Sequence, residues 1–411
     1  MEALALIAIV AAAAVSAAVS QKWRNRFRRA ASTIGLTPKE WESRAAGWLR
    51  GFPVEVWLEG ADGHWTTVIS VSGLPSDVRL QPRGRRSGRA SRASRCFEIG
   101  DPRFDEAFLV SGDERKARAA LDAGSRAFAQ QLLKDVAGLR LEDGTCEVRL
   151  AGYVADAFTL GAQVSAVLSL AEGMFRGAAP TVRLYANAFD DAVPRVRENN
   201  LRVLLDCAGS STRADAITRA MDHEQPELRL LAARAEGSLA WPVMVELGQS
   251  RFLAPELRRL AIEALPASTP REVRVSVALS AIGKPDTGLA AAAARLAGRS
   301  GTPGDRRVER GLISLLGRDD DSVRAAAIAA LGRVGTARAV ERLLPFTSGL
   351  LTSQTLKQRA RAAVRAIQAR LVNGEAGALT LSEVEGGEGR LSLAADSGAL
   401  SLLQSPQLVE G

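Results

Sequence analysis

The chain has 411 residues, enough for two or three domains, each with its own core. Its formal net charge is +8, and the surplus lies at one end: residues 1–95 hold 15 Lys and Arg against 7 Asp and Glu, whereas the rest holds 39 of each. A nucleic-acid-binding domain more often carries a basic face on its folded part, so this charge distribution argues against nucleic acid as a partner. The three cysteines and two histidines are widely spaced, which excludes a disulfide framework and a Cys/His metal cluster.

Residues 3–20 form an uncharged, Ala-rich run that cations follow at once. As a helix the run is about 27 Å long, close to the ~30 Å of a bilayer core. Cationic flanks stay on the cytoplasmic side, which predicts a single-pass anchor in the inner membrane with the bulk of the chain in the cytoplasm. The basic segment 21–36 and the Arg-rich loop 82–95 are then predicted to contact anionic lipid headgroups. The cations concerned are Lys22, Arg24, Arg26, Arg28, Arg29, Arg83, Arg85, Arg86, Arg89, Arg92 and Arg95.

Alternatives stay open for both segments. A signal peptide carries its cations before the apolar core, and here they follow it, but small residues at 16–20 resemble a cleavage site. The moderate hydrophobicity of the run also fits a buried helix of a soluble protein. For loop 82–95, which has six arginines and no aromatic residue to stack on bases, the alternatives are nucleic-acid binding and a solvated charge run.

The sequence pattern of residues 37–185 predicts a small α+β domain, in which helices pack on an antiparallel sheet. Thr37-Pro38-Lys39-Glu40 has the pattern of a helix start, and the helix would carry Trp41 and Trp48 toward the headgroups or toward the next domain. The further predicted elements are hairpins at 53–73 and 139–150, a strand at 107–110, and helices at 113–133 and 156–175.

The segment 97–113, with Phe-Asp-x-x-Phe at 104–108, resembles part of uncharacterised bacterial membrane-associated proteins in which hydrophobic helices precede it. The resemblance implies a membrane location and brings no known chemistry. Asp101, Asp105 and Asp113 lie in this segment, and their spacing differs from that of a calcium loop. Strand-end and helix-cap roles explain these carboxylates better.

From about residue 190 to 372 helices alternate with short breaks, and a repeat is present. The clearest unit, 320–346, has an acidic cap, an Ala-rich first helix, a turn from Gly332 to Gly335 and a second helix. A single helix pair exposes an apolar face, so its stability comes from stacking on its neighbours. Equivalent aliphatic residues at five first-helix starts are spaced 29, 32, 34 and 33 apart: Leu228, Leu257, Leu289, Val323 and Leu356.

With Leu331-Gly332-Arg333-Val334-Gly335 between its helices, unit 320–346 resembles a bacterial HEAT repeat, and the resemblance extends over about 215–372. It implies an all-α solenoid that offers surfaces to protein partners, without one activity common to the family. Second helices of such arrays normally line the concave surface, which would take an acidic segment of an unknown protein partner or of the chain's own tail. The expected binding residues are Arg271, Arg274, Arg306, Arg307, Arg310, Arg338 and Arg342, some of them paired with Glu246, Glu272, Glu309 and Glu341.

The last part of the chain, 373–411, is acidic and of low complexity, and it is predicted to be disordered. Gly-x-Leu-Ser/Thr-Leu recurs in it three times. Such an extended motif either adds a strand to a partner's sheet or has no selected role, and both interpretations stay open.

No catalytic, cofactor-binding or metal-binding residue is predicted. His64 and His223 have no nucleophile beside them in sequence, and the glycines lack the context of a phosphate-binding loop. The sequence is therefore interpreted as a non-enzymatic, membrane-anchored scaffold or adaptor with no cofactor and no small-molecule substrate. The alternatives are a HEAT-like lyase-type enzyme acting on a prosthetic group, with Cys207 as the residue to test, and nucleic-acid binding through the Arg-rich loop.

Overall fold

The chain folds as two compact units, residues 1–231 and 232–411. The computed structural model describes residues 21–40, 42–61, 64–84, 96–154, 156–175, 177–348, 353–374, 390–393 and 400–403. The predicted anchor at 3–20 and positions 85–95 of the Arg-rich loop lie outside these described residues.

The described part of the first unit contains a nine-stranded sheet in the order β1-β2-β3-β4-β9-β8-β5-β7-β6. Every neighbouring pair is antiparallel, which confirms the predicted kind of sheet. The strands are β1 (Thr37–Pro38), β2 (Arg44–Leu49), β3 (Phe52–Ala61), β4 (His64–Val71), β5 (Val78–Pro82), β6 (Cys96–Phe97), β7 (Phe108–Gly112), β8 (Gly138–Glu142) and β9 (Thr145–Ala151).

Helices cover one face of this sheet. Alternate residues of the central strands, such as Val56, Ile69 and Val148, are fully buried beneath them, as the period of two requires for a sheet with one core face. Phe27 of α1 is buried in the same core. The helices are α1 (21–33), α2 (Pro102–Ala107), α3 (Glu114–Ala120), α4 (Ala123–Asp135) and α5 (Ala157–Phe175).

Among the described residues, α5 is the one helix long and apolar enough to cross a membrane. Leu160, Val164 and Val167 on one side of α5 are buried in the sheet core. Arg50 donates to Ser165 and Ser169 on the same helix. These contacts are those of a core helix of the α+β domain.

The predicted helix start at 37–40 is wrong. Thr37–Pro38 and Arg44–Leu49 are strands, and β2 pairs with β3 along its whole length. Arg50 and Gly51 between them have φ values of 50° and 76°, the two successive positive angles of a type I′ hairpin turn. Long-range pairing of this hairpin with the sheet outweighs the local capping signal.

The predicted helix over 113–133 is two helices, because Asp122 begins a new one. Its carboxylate accepts from the Ser125 backbone N–H at 2.7 Å. The predicted cap roles of the neighbouring carboxylates are confirmed: Asp113 accepts from Lys116 N, and Asp101 accepts from Phe104 N at the start of α2. Asp105 accepts from the Ile99 and Gly100 N–H groups, and burial raises the pKa of its carboxyl group.

Three more helices complete the first unit, and α6 and α7 pack on α3. A buried arginine holds this junction. Arg126 of α4 is 2% exposed and donates to both oxygens of Asp191 (2.9 and 3.1 Å), to Asp101 at 2.9 Å and to the Leu121 carbonyl at 2.9 Å. Asp191 lies between α6 and α7. The added helices are α6 (Pro180–Asp190), α7 (Pro194–Cys207) and α8 (Ser210–Met221), and the boundary between the units falls inside α9 (Pro226–Glu236).

The second unit is a stack of helix pairs. Four of the five aliphatic residues of the predicted repeat, Leu257, Leu289, Val323 and Leu356, lie near the starts of its first helices and are at most 7% exposed, which confirms their spacing. The fifth, Leu228, is buried in α9 of the first unit. First helices pack on first helices, and second helices on second helices. The first helices are α11 (Pro255–Ala264), α13 (Thr287–Ser300), α15 (Asp321–Val334) and α17 (Gln354–Gly374), and the second helices are α10 (Trp241–Gln249), α12 (Arg271–Ile282), α14 (Arg306–Leu315) and α16 (Ala337–Ser348).

Small residues let the first helices approach closely. A Cβ built on Gly298 of α13 would lie 2.7 Å from the Cα of Ala330 on α15. The equivalent Cβ on Gly332 would lie 3.1 Å from the Cα of Ala363 on α17. Gly332 is therefore an interhelical contact inside α15, and the predicted turn from Gly332 to Gly335 begins only after Val334.

In the tail, the described residues are two short strands, β10 (Arg390–Leu393) and β11 (Leu400–Leu403). They pair antiparallel with each other. The Leu-Ser-Leu parts of two of the three recurring motifs are thus paired strands, whereas the sequence predicted a disordered tail. The other tail residues lie outside the described part of the chain.

Candidate functional site

A groove of about 710 Å³ crosses the first-helix layer of the second unit, and we call it the first-helix trough. Its floor is the alanine face of α15, which lies between α13 and α17. Because α13 and α15 approach each other closely at Gly298, only short side chains fit at this part of the floor. The trough is lined by Arg295, Gly298, Arg299, Asp321, Ser322, Ala325, Ala326, Ala329, Ala330, Arg333, Ser353, Thr355, Leu356 and Arg359.

The trough is positively charged. Arg299, Arg333 and Arg359 are exposed at its rim, and none of them makes an ion pair within the described residues. The other two charged positions are neutralised locally: Arg295 pairs with Glu263 at 2.6 Å, and Asp321 pairs with Arg324 at 3.2 Å. Three uncompensated cations above an apolar floor favour an anionic segment with small side chains.

Sequence reasoning missed the three rim arginines because it expected the binding surface on the second helices. A signal was nevertheless present. Gly298-Arg299 and Gly332-Arg333 are the same dipeptide 34 residues apart, which is one repeat. The glycine sets the helix spacing, and the arginine after it lies at the rim of the resulting trough.

The arginines predicted for the second-helix layer lie on α12, α14 and α16, as expected, but they do not share one role. Arg306, Arg310, Arg338 and Arg342 are exposed, without an ion pair in the described part of the chain. Arg307 pairs with Glu272 at 3.5 Å, one of the predicted pairs.

Two other residues in this layer contact the stack itself, and Glu309 has no arginine partner among the described residues. Arg271 donates to the Ser300 carbonyl oxygen at 2.9 Å and to the Thr302 hydroxyl, so it caps the end of α13. Glu309, predicted to pair with arginine, is 4% exposed and accepts from the backbone N–H and the hydroxyl of Thr336, both at 2.8 Å. Arg274 is half-buried.

The cations predicted at the membrane surface are partly described. Lys22, Arg24, Arg26 and Arg29 are exposed on α1, as headgroup contact requires. Arg28 is half-buried and donates to the Lys39 carbonyl oxygen at 3.0 Å, which ties α1 to the sheet. Arg83 is exposed, and the remaining five arginines of the loop lie outside the described residues.

The histidines and cysteines form no reactive cluster in the described part of the chain. His223 Nδ1 accepts from the Gln225 backbone N–H at 2.9 Å, a cap-like contact as predicted, and burial lowers the pKa of its imidazole. His64 begins β4, and its side chain is not described. Desolvation raises the pKa of the Cys207 thiol, whereas catalytic thiols have a lowered pKa.

Thiol reactivity tests the lyase-type alternative directly. We expect alkylation near neutral pH to be fastest at exposed Cys96, slower at half-buried Cys207 and slowest at buried Cys146. Burial raises the pKa of Cys146 to about 12, so only about one thiol in ten thousand is ionised at a pH of ~8. Mass spectrometry of the folded protein after timed labelling gives the order, and Cys207 reacting ahead of Cys96 would favour an enzyme.

The comparisons with known proteins relate part of the array to a known repeat class. Residues 275–368, from α12 to α17, match HEAT repeats. The match supports a HEAT-like solenoid over these three helix pairs, and HEAT repeats point to protein–protein interaction. The predicted units starting at 226 and 255 precede the matched range, and the resemblance at 97–113 stays a prediction.

The chain is also similar to a solved structure, the mycobacterial trehalose monomycolate transport factor A. The alignment has 14% sequence identity and covers 38% of this chain and 98% of that chain, with a TM-score of 0.29. A TM-score at this level does not establish a shared fold. No curated protein matches the chain.

Proposed function

We propose that this protein is a non-enzymatic scaffold or adaptor, anchored by residues 3–20 in the inner membrane, whose HEAT-like array binds a protein partner in the cytoplasm. The observation that carries the proposal is the stack of HEAT-like helix pairs at 275–368. Its uncompensated arginines, on both helix layers, favour a partner that presents acidic groups.

The membrane part of the proposal is supported by the way α1 enters the sheet domain. Phe27 is fully buried in the core, and it follows Gln21 by only six residues, about 9 Å of helix. The Tyr153 hydroxyl also donates to the Trp23 carbonyl oxygen, and the two rings meet edge to face at 4.6 Å. An anchor ending at residue 20 would therefore hold the sheet domain against the headgroups, with the exposed cations of α1 beside anionic lipid.

Membrane fractionation combined with protease treatment of spheroplasts tests the proposal. We expect the intact chain in the membrane fraction after alkaline washing, because an apolar helix stays in the bilayer. External protease should leave the folded units intact and digest them only after lysis. Removal of residues 3–20 is the matched control, and that variant should move to the soluble fraction.

The partner is sought by cross-linking in these membranes, followed by purification of the protein. A stable partner whose recovery falls at least tenfold with Arg333→Glu and Arg359→Glu supports the scaffold. A mature chain that begins after Ser20, or a wild-type protein in the soluble fraction, would contradict the anchor. Repeated recovery of the protein alone would contradict the scaffold.

A further inference from the structure

We infer that the first-helix trough is the docking site of the chain's own acidic tail, through residues 375–389. This inference goes beyond the proposed function, and it does not depend on the membrane anchor. It rests on charge, reach and shape, each given by the residues that line the trough and by the sequence that follows α17.

The charges are complementary. Residues 375–389 contain four glutamates, Glu375, Glu383, Glu385 and Glu388, and no basic residue. The trough offers Arg299, Arg333 and Arg359, which have no ion pair within the described residues. Pairing would remove like-charge repulsion both among the arginines and among the glutamates.

The tail is long enough to return to the trough. From Arg359 to Gly374, α17 runs for fifteen residues, about 22 Å. The nine residues from Gly374 to Glu383 span at most about 30 Å when extended. The glutamates at 383–388 therefore reach Arg359, and Arg333 lies on the neighbouring helix, whose end approaches α17.

The shape of the trough also fits this segment. The floor consists mainly of alanines, and their short side chains leave room for small side chains of a bound segment. Residues 375–389 are mostly Gly, Ala, Ser, Thr and Glu, with only three larger aliphatic side chains. Pairing of β10 with β11 uses none of the four glutamates, because β10 begins at Arg390.

An intramolecular occupant changes how a partner binds. A tethered segment acts at an effective concentration in the millimolar range, so a partner's acidic segment must displace the tail before it occupies the trough. Ionic strength weakens the contact, since the Debye length falls from about 10 Å at 0.1 M salt to about 3 Å at 1 M.

Carbodiimide cross-linking of the full-length chain tests the inference. Carbodiimide joins carboxylates to lysine amines at zero length, so Arg333→Lys with Arg359→Lys places amines at the trough without changing its charge. Arg306→Lys with Arg338→Lys is the matched control on the second-helix layer. The wild-type chain, with Lys357 as the one lysine of α17, gives the background.

We expect the monomer of the trough variant to contain cross-links from positions 333 and 359 to Glu383, Glu385 and Glu388. Their yield should be at least fivefold above that from positions 306 and 338, and it should fall to background at about 1 M salt. Equal yields from the two layers, or no cross-link to the tail from the trough, would overturn the inference. Cross-links found only in dimers would mean that the tail of a second copy occupies the trough, and this too would overturn the inference. The membrane fractionation experiment does not depend on tail docking, so failure of the cross-linking prediction would not contradict the proposed anchor.

Discussion

The Arg126→Ala variant is expected to lower the free energy of unfolding of the first unit by about 3–5 kcal/mol. Arg126 compensates two carboxylates, Asp191 and Asp101, whose side chains are 1% and 17% exposed. Removal of the guanidinium leaves a buried charge without a partner and a buried carbonyl, that of Leu121, without a donor. The stability lost is that of the junction where α6 and α7 meet the sheet domain.

Tryptophan fluorescence during urea unfolding measures this effect. Five of the six tryptophans lie in residues 1–231, so their signal follows the first unit rather than the HEAT-like array. Arg103→Ala is the matched control, because Arg103 is an exposed arginine two residues from Asp101 and has no ion pair among the described residues. The control should change stability by less than about 0.5 kcal/mol. If both variants unfold at the same urea concentration, the buried cluster does not hold the junction.

This cluster also shows what a single sequence leaves hidden. Asp101, Arg126 and Asp191 are spread over 90 residues, and each has an ordinary local explanation as a cap or a surface charge. Only the packing of α4 against the added helices brings them together. By contrast, the hairpin around Asp143 was predicted correctly, because Asp-Gly is a strong local turn signal and the flanking strands alternate.

The repeat array was predicted from its spacing, since every first helix needs a buried aliphatic residue near its start. The candidate binding surface was harder to predict from the sequence. The general rule that second helices line the concave side led to the arginines of α12, α14 and α16, whereas the trough depends on how closely α13, α15 and α17 approach. That distance is set by Gly298 and Gly332, whereas the sequence pattern indicated a turn at Gly332.

The Gly298→Ala variant is expected to destabilise the second unit, although alanine is the better helix former by about 1 kcal/mol. The added Cβ would lie 2.7 Å from both the Cα and the Cβ of Ala330, so α13 and α15 must move apart. Overpacking of this kind costs about 1–3 kcal/mol, so after the gain in helix propensity we expect a net loss of up to about 2 kcal/mol. Gly332→Ala should cost less, because its nearest contact, Ala363, is at 3.1 Å.

Hydrogen exchange of the α13 and α15 amides measures the loss without assuming that the whole chain unfolds in one step. Gly288→Ala is the matched control: it lies in α13 too, but its added Cβ would meet no backbone of another helix, only the side chains of Arg259 and of the cap residue Asp286, at 3.3 and 3.4 Å. If exchange is unchanged in Gly298→Ala, or if it becomes faster by the same factor in Gly288→Ala, the close approach of the helices is not needed for stability.

The same substitution connects helix packing with tail binding. Separation of α13 from α15 changes the floor of the trough and the spacing between Arg299 and Arg333, while every charge stays in place. Cross-linking of the tail should therefore fall severalfold when Gly298→Ala is added to the trough lysine variant, and it should not change when Gly288→Ala is added. If docking depended on charge alone, both additions would leave the cross-linking yield unchanged, so this comparison separates the contribution of shape from that of the arginines.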